Sequence, residues 1–337
     1  MYNSESVISL AHGSGGKHTH QLITEIFQKH FSNPVLDTMS DAANVVCPSE
    51  KMIVSTDSYV VTPIIFAGGD IGKLSICGTA NDISVAGGIP KYITAAFILE
   101  EGLEISILDK ISSSMAREAK NAGILVIAGD TKVVEKNKGD QIFITTTGFG
   151  QRHPQSDLGY HKIRPGDHVI INGPIGDHGI SILSKREELS FKTPVQSDAR
   201  CLSQMITRLL DLYPSIRFMR DPTRGGAATA LAEIASSANK TIMVQEENIP
   251  VNDAVKGACE LMGMDPLYIA NEGKVIIICP PEISHNLITK INASFPEQNA
   301  VRIGTVHEGQ GKAILKSKYG GTRTLDLLAD EILPRIC

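Results

Sequence analysis

The chain has 337 residues, 42% of them hydrophobic and 20% charged, and a formal net charge of −5. That length suits about two ordinary domains with a sizeable core, and the composition excludes a disordered or collagen-like chain. The acidic balance and the scattered Lys and Arg argue against nucleic-acid binding and against a basic membrane-surface patch.

No segment reaches the ~20 consecutive apolar residues of a membrane helix. The start, MYNSESVISLAHGSGG, lacks the basic head and apolar block of a signal peptide, so a cytoplasmic location is expected. The cysteines Cys47, Cys77, Cys201, Cys259, Cys279 and Cys337 form no CxxC pair. Free thiols are expected, mostly buried as small hydrophobes. Cys337 differs, because a chain end is rarely buried.

In chain order, residues 1–40 read as a mobile Gly-rich start, an amphipathic helix around 17–30 and a loop near Pro34. KMIVST, YITAAFIL, ILVIAG and QIFITTTGFG are apolar, β-branched runs of strand length. Between them lie a small-residue helix over 70–86 and a second helix over 104–121. The second carries Ile107, Ile111, Met115 and Ala119 at the spacing of a buried stripe. RPGD is a turn signal. After it come helical patterns near 176–187, 197–212, 224–239 and 251–262, and strand-like runs DHVIING, TIMVQ, KVIIIC and VRIGTV. This pattern predicts an α/β (α+β) chain. It divides into an N-terminal segment (1–40), an α/β domain (41–155), a second α/β domain (156–315) and a flexible tail (316–337).

Four groups of residues carry possible chemistry. Gly13, Gly15 and Gly16, with Lys17 opening a helix, let backbone N–H groups approach phosphate. This stretch is not a P-loop, since residue 11 is Ala and His18 stands where Ser or Thr is required; a terminal linker is the plain alternative. Asp41, Asp57, Asp82, Asp130 and Asp221 sit at strand ends or in Gly- and Ala-rich settings. There carboxylates suit Mg²⁺, although each could equally be a cap or turn residue. Lys132 and Glu272 lie beside these stretches and read either as site residues or as solvated loop charges. Finally, Pro334 holds the residue before it extended, and Arg335 favours a thiolate at Cys337 while the adjacent α-carboxylate opposes it; a terminal Cys without chemistry is the plain alternative.

Taken together, AHGSGGK, SDAANV, STDSYVV, CGTANDISVAGG, AGDTKVV, RDPTRGG, ANEGKV and the terminal PRIC resemble the ATP-binding superfamily of aminoimidazole ribonucleotide synthetase and selenophosphate synthetase. Within it the chain is most similar to the hydrogenase maturation family HypE, over nearly its whole length. The resemblance implies a two-domain aminoimidazole ribonucleotide synthetase-like fold, a homodimer joined through its N-terminal domains, and ATP with Mg²⁺. It also implies that Asn81, Asp130 and Thr131 join the Gly-rich start in binding nucleotide. A HypF-like carbamoyltransferase would load a carbamoyl group onto Cys337. The chain would then dehydrate it to a thiocyanate, with Glu272 as base and Lys132 stabilising charge. The cyano group would pass to a HypC–HypD-like iron scaffold for a [NiFe] hydrogenase.

Two other readings stay open on residues alone: a synthetase acting on a free small molecule, and a non-catalytic nucleotide-binding scaffold. Residues 322–337 span at most ~50 Å, so the tail is expected to swing in and out, with cleavage near Gly320 and Gly321 reporting the motion.

Overall fold

The computed structural model describes residues 2, 6–40, 42–47, 49–186, 194–328 and 335–336; Asp41 and Cys337 lie outside the described residues. The helical start, α1 (Lys17–Leu22), runs through wider turns over Ile23–Gln28 into α2 (Lys29–Phe31). Its stripe Leu22, Ile26 and Phe27 is buried, and the Phe27 ring meets Phe97 at 4.7 Å between centroids.

The first strand-like run becomes β1 (Met52–Tyr59); a two-stranded ribbon of β2 (Ile65–Phe66) and β3 (Gly69–Asp70), not expected from the sequence, follows it; the other three runs become β4 (Gly88–Glu100), β5 (Leu125–Val134) and β6 (Ile142–Arg152). Helices α3 (Ile71–Val85) and α4 (Ile105–Ala122) fill the intervals. Four strands form a sheet in the order β1-β6-β4-β5, with β4 and β5 parallel and joined through α4. Asp70 caps α3, accepting from the Lys73 amide at 2.8 Å and the Ser114 hydroxyl at 2.8 Å. The small residues of α3 have a steric reason: a Cβ on Gly78 would lie 2.4 Å from the Tyr59 hydroxyl. The helix therefore lies directly on the strands.

The second half contains β7 (His168–Ile171), α5 (Asp177–Leu183), α6 (Ser203–Leu212), β8 (Phe218–Arg220), α7 (Gly226–Ala238), β9 (Thr241–Gln245) and α8 (Asp253–Met262). It closes with β10 (Ile276–Cys279), α9 (Pro281–Ser294), β11 (Val301–His307), β12 (Ala313–Lys316) and β13 (Thr322–Leu325). The sheet order is β13-β12-β9-β11-β7-β10-β8. Strand β10 is apolar throughout because both its faces are covered. Ile276 and Ile278 meet the side of α7, while Ile277 and Cys279 meet that of α6 and α9.

Two expectations at the chain ends change. Residues 7–13 are not a mobile start: the Ile8 amide donates to Leu103 at 2.7 Å, and a Cβ on Gly13 would sit 2.8 Å from the Val133 nitrogen. The expected tail from 316 is also partly ordered. Thr322–Leu325 pairs with β12 as an edge strand, and Gly320 and Gly321 form the turn between the two. No helix among the described residues is long and apolar enough to cross a membrane.

Candidate active site

The sequence-derived site residues fall into two groups at opposite edges of the first sheet. Asp57, on β1, points toward α3, where the Thr79 hydroxyl donates to it at 3.0 Å. Asp82, further along α3, accepts from Ser55 at 2.7 Å. Asp221 lies just before α7. Burial and the neighbouring charges of Asp221 and Asp57 push Asp82 up to about 7, and burial pushes Asp221 up to about 6. Glu272 joins them, only 4% exposed. Burial and then the charges of Asp198, Asp221, Asp82 and Asp57 hold its carboxyl well above the usual range. Its Oε1 is buried with no hydrogen-bond partner among the described residues. Such an orphaned acceptor points to a bound group.

Glu272 is held from behind. Asp198 accepts from the amides of Glu272 and Gly273 at 3.0 and 3.3 Å, and pairs with Lys274 at 3.0 Å. Gly273 is required here, because a Cβ would meet the Asp198 carbonyl oxygen at 2.0 Å. Burial alone would raise Asp198, yet the Lys274 ammonium and the Glu272 amide outweigh it and hold the carboxyl below its ordinary value. Sequence reasoning missed Asp198, Lys274 and His178; only Lys274, next to ANEG, carried a local signal.

The other group lies around β5. Asp130 is opposite Ala96 on β4, one residue out of phase with the row that runs from Asp57 through Thr146 and Ala95 to Gly129. It therefore projects from the opposite face of the sheet, about 14 Å from Asp57 at three strand spacings. The Lys132 ammonium and then the Thr131 amide hold Asp130 below its ordinary value; the ion pair is 2.9 Å long and two-thirds exposed. Gly13 packs on the same strand, and Gly15, Gly16 and Lys17 follow it, exposed. A cavity of about 360 Å³ opens beside them, lined by Thr19, Phe27, Met39, Ala95, Gly129 and Thr131.

Asn81 is 2% exposed, and its amide is spent on the protein's own backbone. It donates to the carbonyls of Arg200 and Glu272 and accepts from the Leu202 amide at 2.7 Å. It clamps the two halves together. The aspartates, moreover, form no closed metal cage. Among the described residues, no three His, Cys, Asp or Glu side chains are grouped to hold an ion. Asp57, Asp82 and Asp221 still fit Mg²⁺, which is commonly held by one or two carboxylates together with water and nucleotide phosphate.

The described end of the chain packs on α5. Ile336 is 5% exposed, and its carbonyl lies 2.6 Å from His178 Nε2. Both His178 and Glu272 lie within the field of Asp198.

Models of the AIR synthase related protein family match residues 39–151 (N-terminal domain) and 164–316 (C-terminal domain). The carbamoyl dehydratase HypE of Azotobacter vinelandii is 44% identical over 331 residues, covering 98% of this chain and 97% of that protein. This chain belongs to the HypE family. A solved HypE in complex with ATP is 41% identical, with a TM-score of 0.92, covering 97% of this chain and 99% of the other. A HypE in a solved HypE–HypF complex is 42% identical, with a TM-score of 0.80, covering 91% and 99%. The two-domain aminoimidazole ribonucleotide synthetase-like fold of the family is the fold of this chain.

Proposed function

We propose that this chain is an ATP-dependent carbamoyl dehydratase whose substrate is the carbamoyl group on its own Cys337. The observation that most supports this is the seating of Ile336, the residue before Cys337, on the buried His178. An enzyme acting on a free small molecule has no need to bring its own end there.

The chemistry removes the elements of water from S–C(=O)–NH₂. The carbamoyl oxygen takes the γ-phosphoryl group of ATP, releasing ADP, and then leaves as phosphate. Both N–H protons are lost and S–C≡N remains. Glu272 is the base for nitrogen: a carboxylate with a raised pKa is the stronger base once ionised. Mg²⁺, held by Asp57, Asp82 and Asp221 with phosphate, would neutralise charge on the transferred group. The Gly-rich start, with Gly13, Gly15, Gly16 and Lys17, lies with β5 and so would cover the phosphates and exclude water in the site to which β5 contributes.

Asp130, Thr131 and Lys132 lie too far from Asp57 to serve the same site within one chain. We assign them to the partner's site in a homodimer. Among the described residues no strand pairs with the outer edges of β1 and β5, and Val54 (56% exposed) and Ile98 (41%) stand on the exposed face of the four-stranded sheet. Two such sheets facing each other bring β5 of one protomer beside β1 of the other. We take residues 41–155 as this dimerising, ATP-binding unit.

The loading partner is a HypF-like carbamoyltransferase and the cyanide acceptor a HypC–HypD-like scaffold, both in the cytoplasm. The test is intact mass of the chain after incubation with carbamoyltransferase, carbamoyl phosphate and ATP. A gain of one carbamoyl group on Cys337, followed by loss of one water only with ATP, is expected. Product formation by Cys337→Ser would overturn the self-substrate reading.

A further inference from the structure

The described C-terminal end is held by more contacts than a passive tail requires. Ile336 bridges to Val61 as one antiparallel pair, and the Thr62 amide donates to the Arg335 carbonyl at 3.2 Å. Arg186 donates to the same carbonyl at 2.9 Å, and Arg335 pairs with Asp140. The Arg335 backbone is left-handed, with φ of 56°. A non-glycine residue holds that conformation at a cost, which the contacts on either side offset.

The innermost contact is His178, which is fully buried, with the Phe66 ring edge-on at 5.7 Å between centroids. Its Nε2 lies 2.6 Å from the Ile336 carbonyl oxygen, and its Nδ1 lies 2.8 Å from the Ser197 hydroxyl. A carbonyl only accepts, so Nε2 carries the proton. The Ser197 oxygen accepts from the Ala199 amide at 3.1 Å, which leaves its own hydrogen for Nδ1. The chain Ala199, Ser197, His178, Ile336 thus fixes one neutral tautomer, with its N–H aimed at the end of the chain. Burial, which lowers the ring's pKa, favours the same neutral form.

The Ile336 carbonyl belongs to the peptide group that joins Ile336 to Cys337. Fixing that carbonyl fixes the plane from which the thiol-bearing residue departs. We infer that His178 is a positioning residue: it seats the Ile336–Cys337 peptide group so that the carbamoylated thiol is held for dehydration. This deepens the self-substrate reading and rests on it.

The full-length chain tests this with two readouts. One is the rate of tryptic cleavage after Arg335, followed by loss of the terminal dipeptide without any carbamoyl donor. The other is conversion of the carbamoyl adduct to thiocyanate by intact mass. In His178→Leu, cleavage should rise and conversion fall by roughly tenfold each, the scale of one buried hydrogen bond. Carbamoyl loading and ATP affinity should stay as in the wild type. His178→Gln, whose amide N–H reaches about as far as Nε2, should recover most of both. If His178→Leu does not fold, Ile336→Asp disturbs the seat from the tail side and should give the same losses. Wild-type cleavage and conversion in the folded variant would overturn the assignment. Failure of the wild-type chain itself to convert its adduct would sink the self-substrate reading, while the cleavage rates would still report on the seat.

Discussion

Asp198 and Lys274 form an ion pair of 3.0 Å with only 3% and 5% of their side chains exposed. The same carboxylate also receives the amides of Glu272 and Gly273. The pair therefore sets the backbone on which the proposed base stands.

Removing one partner leaves the other charge buried and alone. Lys274→Met should cost about 3–5 kcal/mol in urea unfolding. The double variant Lys274→Met with Asp198→Asn should cost clearly less than the sum of the two single variants. Additive losses would mean that the two side chains act independently.

Glu272→Gln keeps the shape and the backbone amide that Asp198 receives, but removes the base. Thiocyanate formation should fall about 10²–10⁴-fold while carbamoyl loading persists, so the carbamoyl adduct accumulates in intact-mass spectra. Near-normal conversion would assign proton removal to another group.

The acidic junction should make the metal-free chain sensitive to pH. Asp82 is raised to about 7 and Asp221 to about 6 in the fold, from an ordinary carboxylate value near 4 when unfolded. Between these values the folded state binds more protons, so this contribution is complete below about pH 4 and is lost as pH rises through about 7. Thermal melting in chelator should show that decline, and ATP with Mg²⁺ should flatten it. Asp82→Asn should flatten it without metal.

Splitting the site between protomers predicts complementation. Lys132→Ala and Asp57→Asn should each be inactive. Unfolded together and refolded as mixed dimers, they should regain about a quarter of wild-type conversion, because one site in each heterodimer is then intact. No recovery would place Lys132 and Asp57 in the same chain's site.

Much of this architecture was legible because apolar runs and their period survive folding. KVIIIC, with no polar residue between Val275 and Cys279, is strand β10, paired on both sides by β7 and β8 in the second sheet. Residues 104–121, with their stripe through Ile111 and Met115, match α4 closely. Three features were not legible, for physical reasons. Strand β13, TRTL, is short and exposed at three of its four residues, so nothing distinguished it from a tail. Helix α9 buries only a narrow stripe through Leu287 and Ile291, too little for its period to stand out. The face on which Asp130 emerges depends on an irregularity in the β4–β5 register between Ile93 and Thr94. Such a one-residue shift reverses every later side chain and leaves no mark in composition. The backbone bonds of Asn81 were not legible for a related reason: a polar residue in a Gly- and Ala-rich stretch looks the same whether it meets a ligand or a neighbouring backbone.

The pinning of Thr322–Leu325 to the sheet changes what kind of ligand the chain's end is. Ten residue steps separate Leu325 from Arg335, a tether of at most about 35 Å. A group on so short a leash is present at its seat at an effective concentration near millimolar. The seat therefore needs only weak intrinsic affinity to stay filled. It can release its occupant quickly when a loading enzyme competes for the thiol.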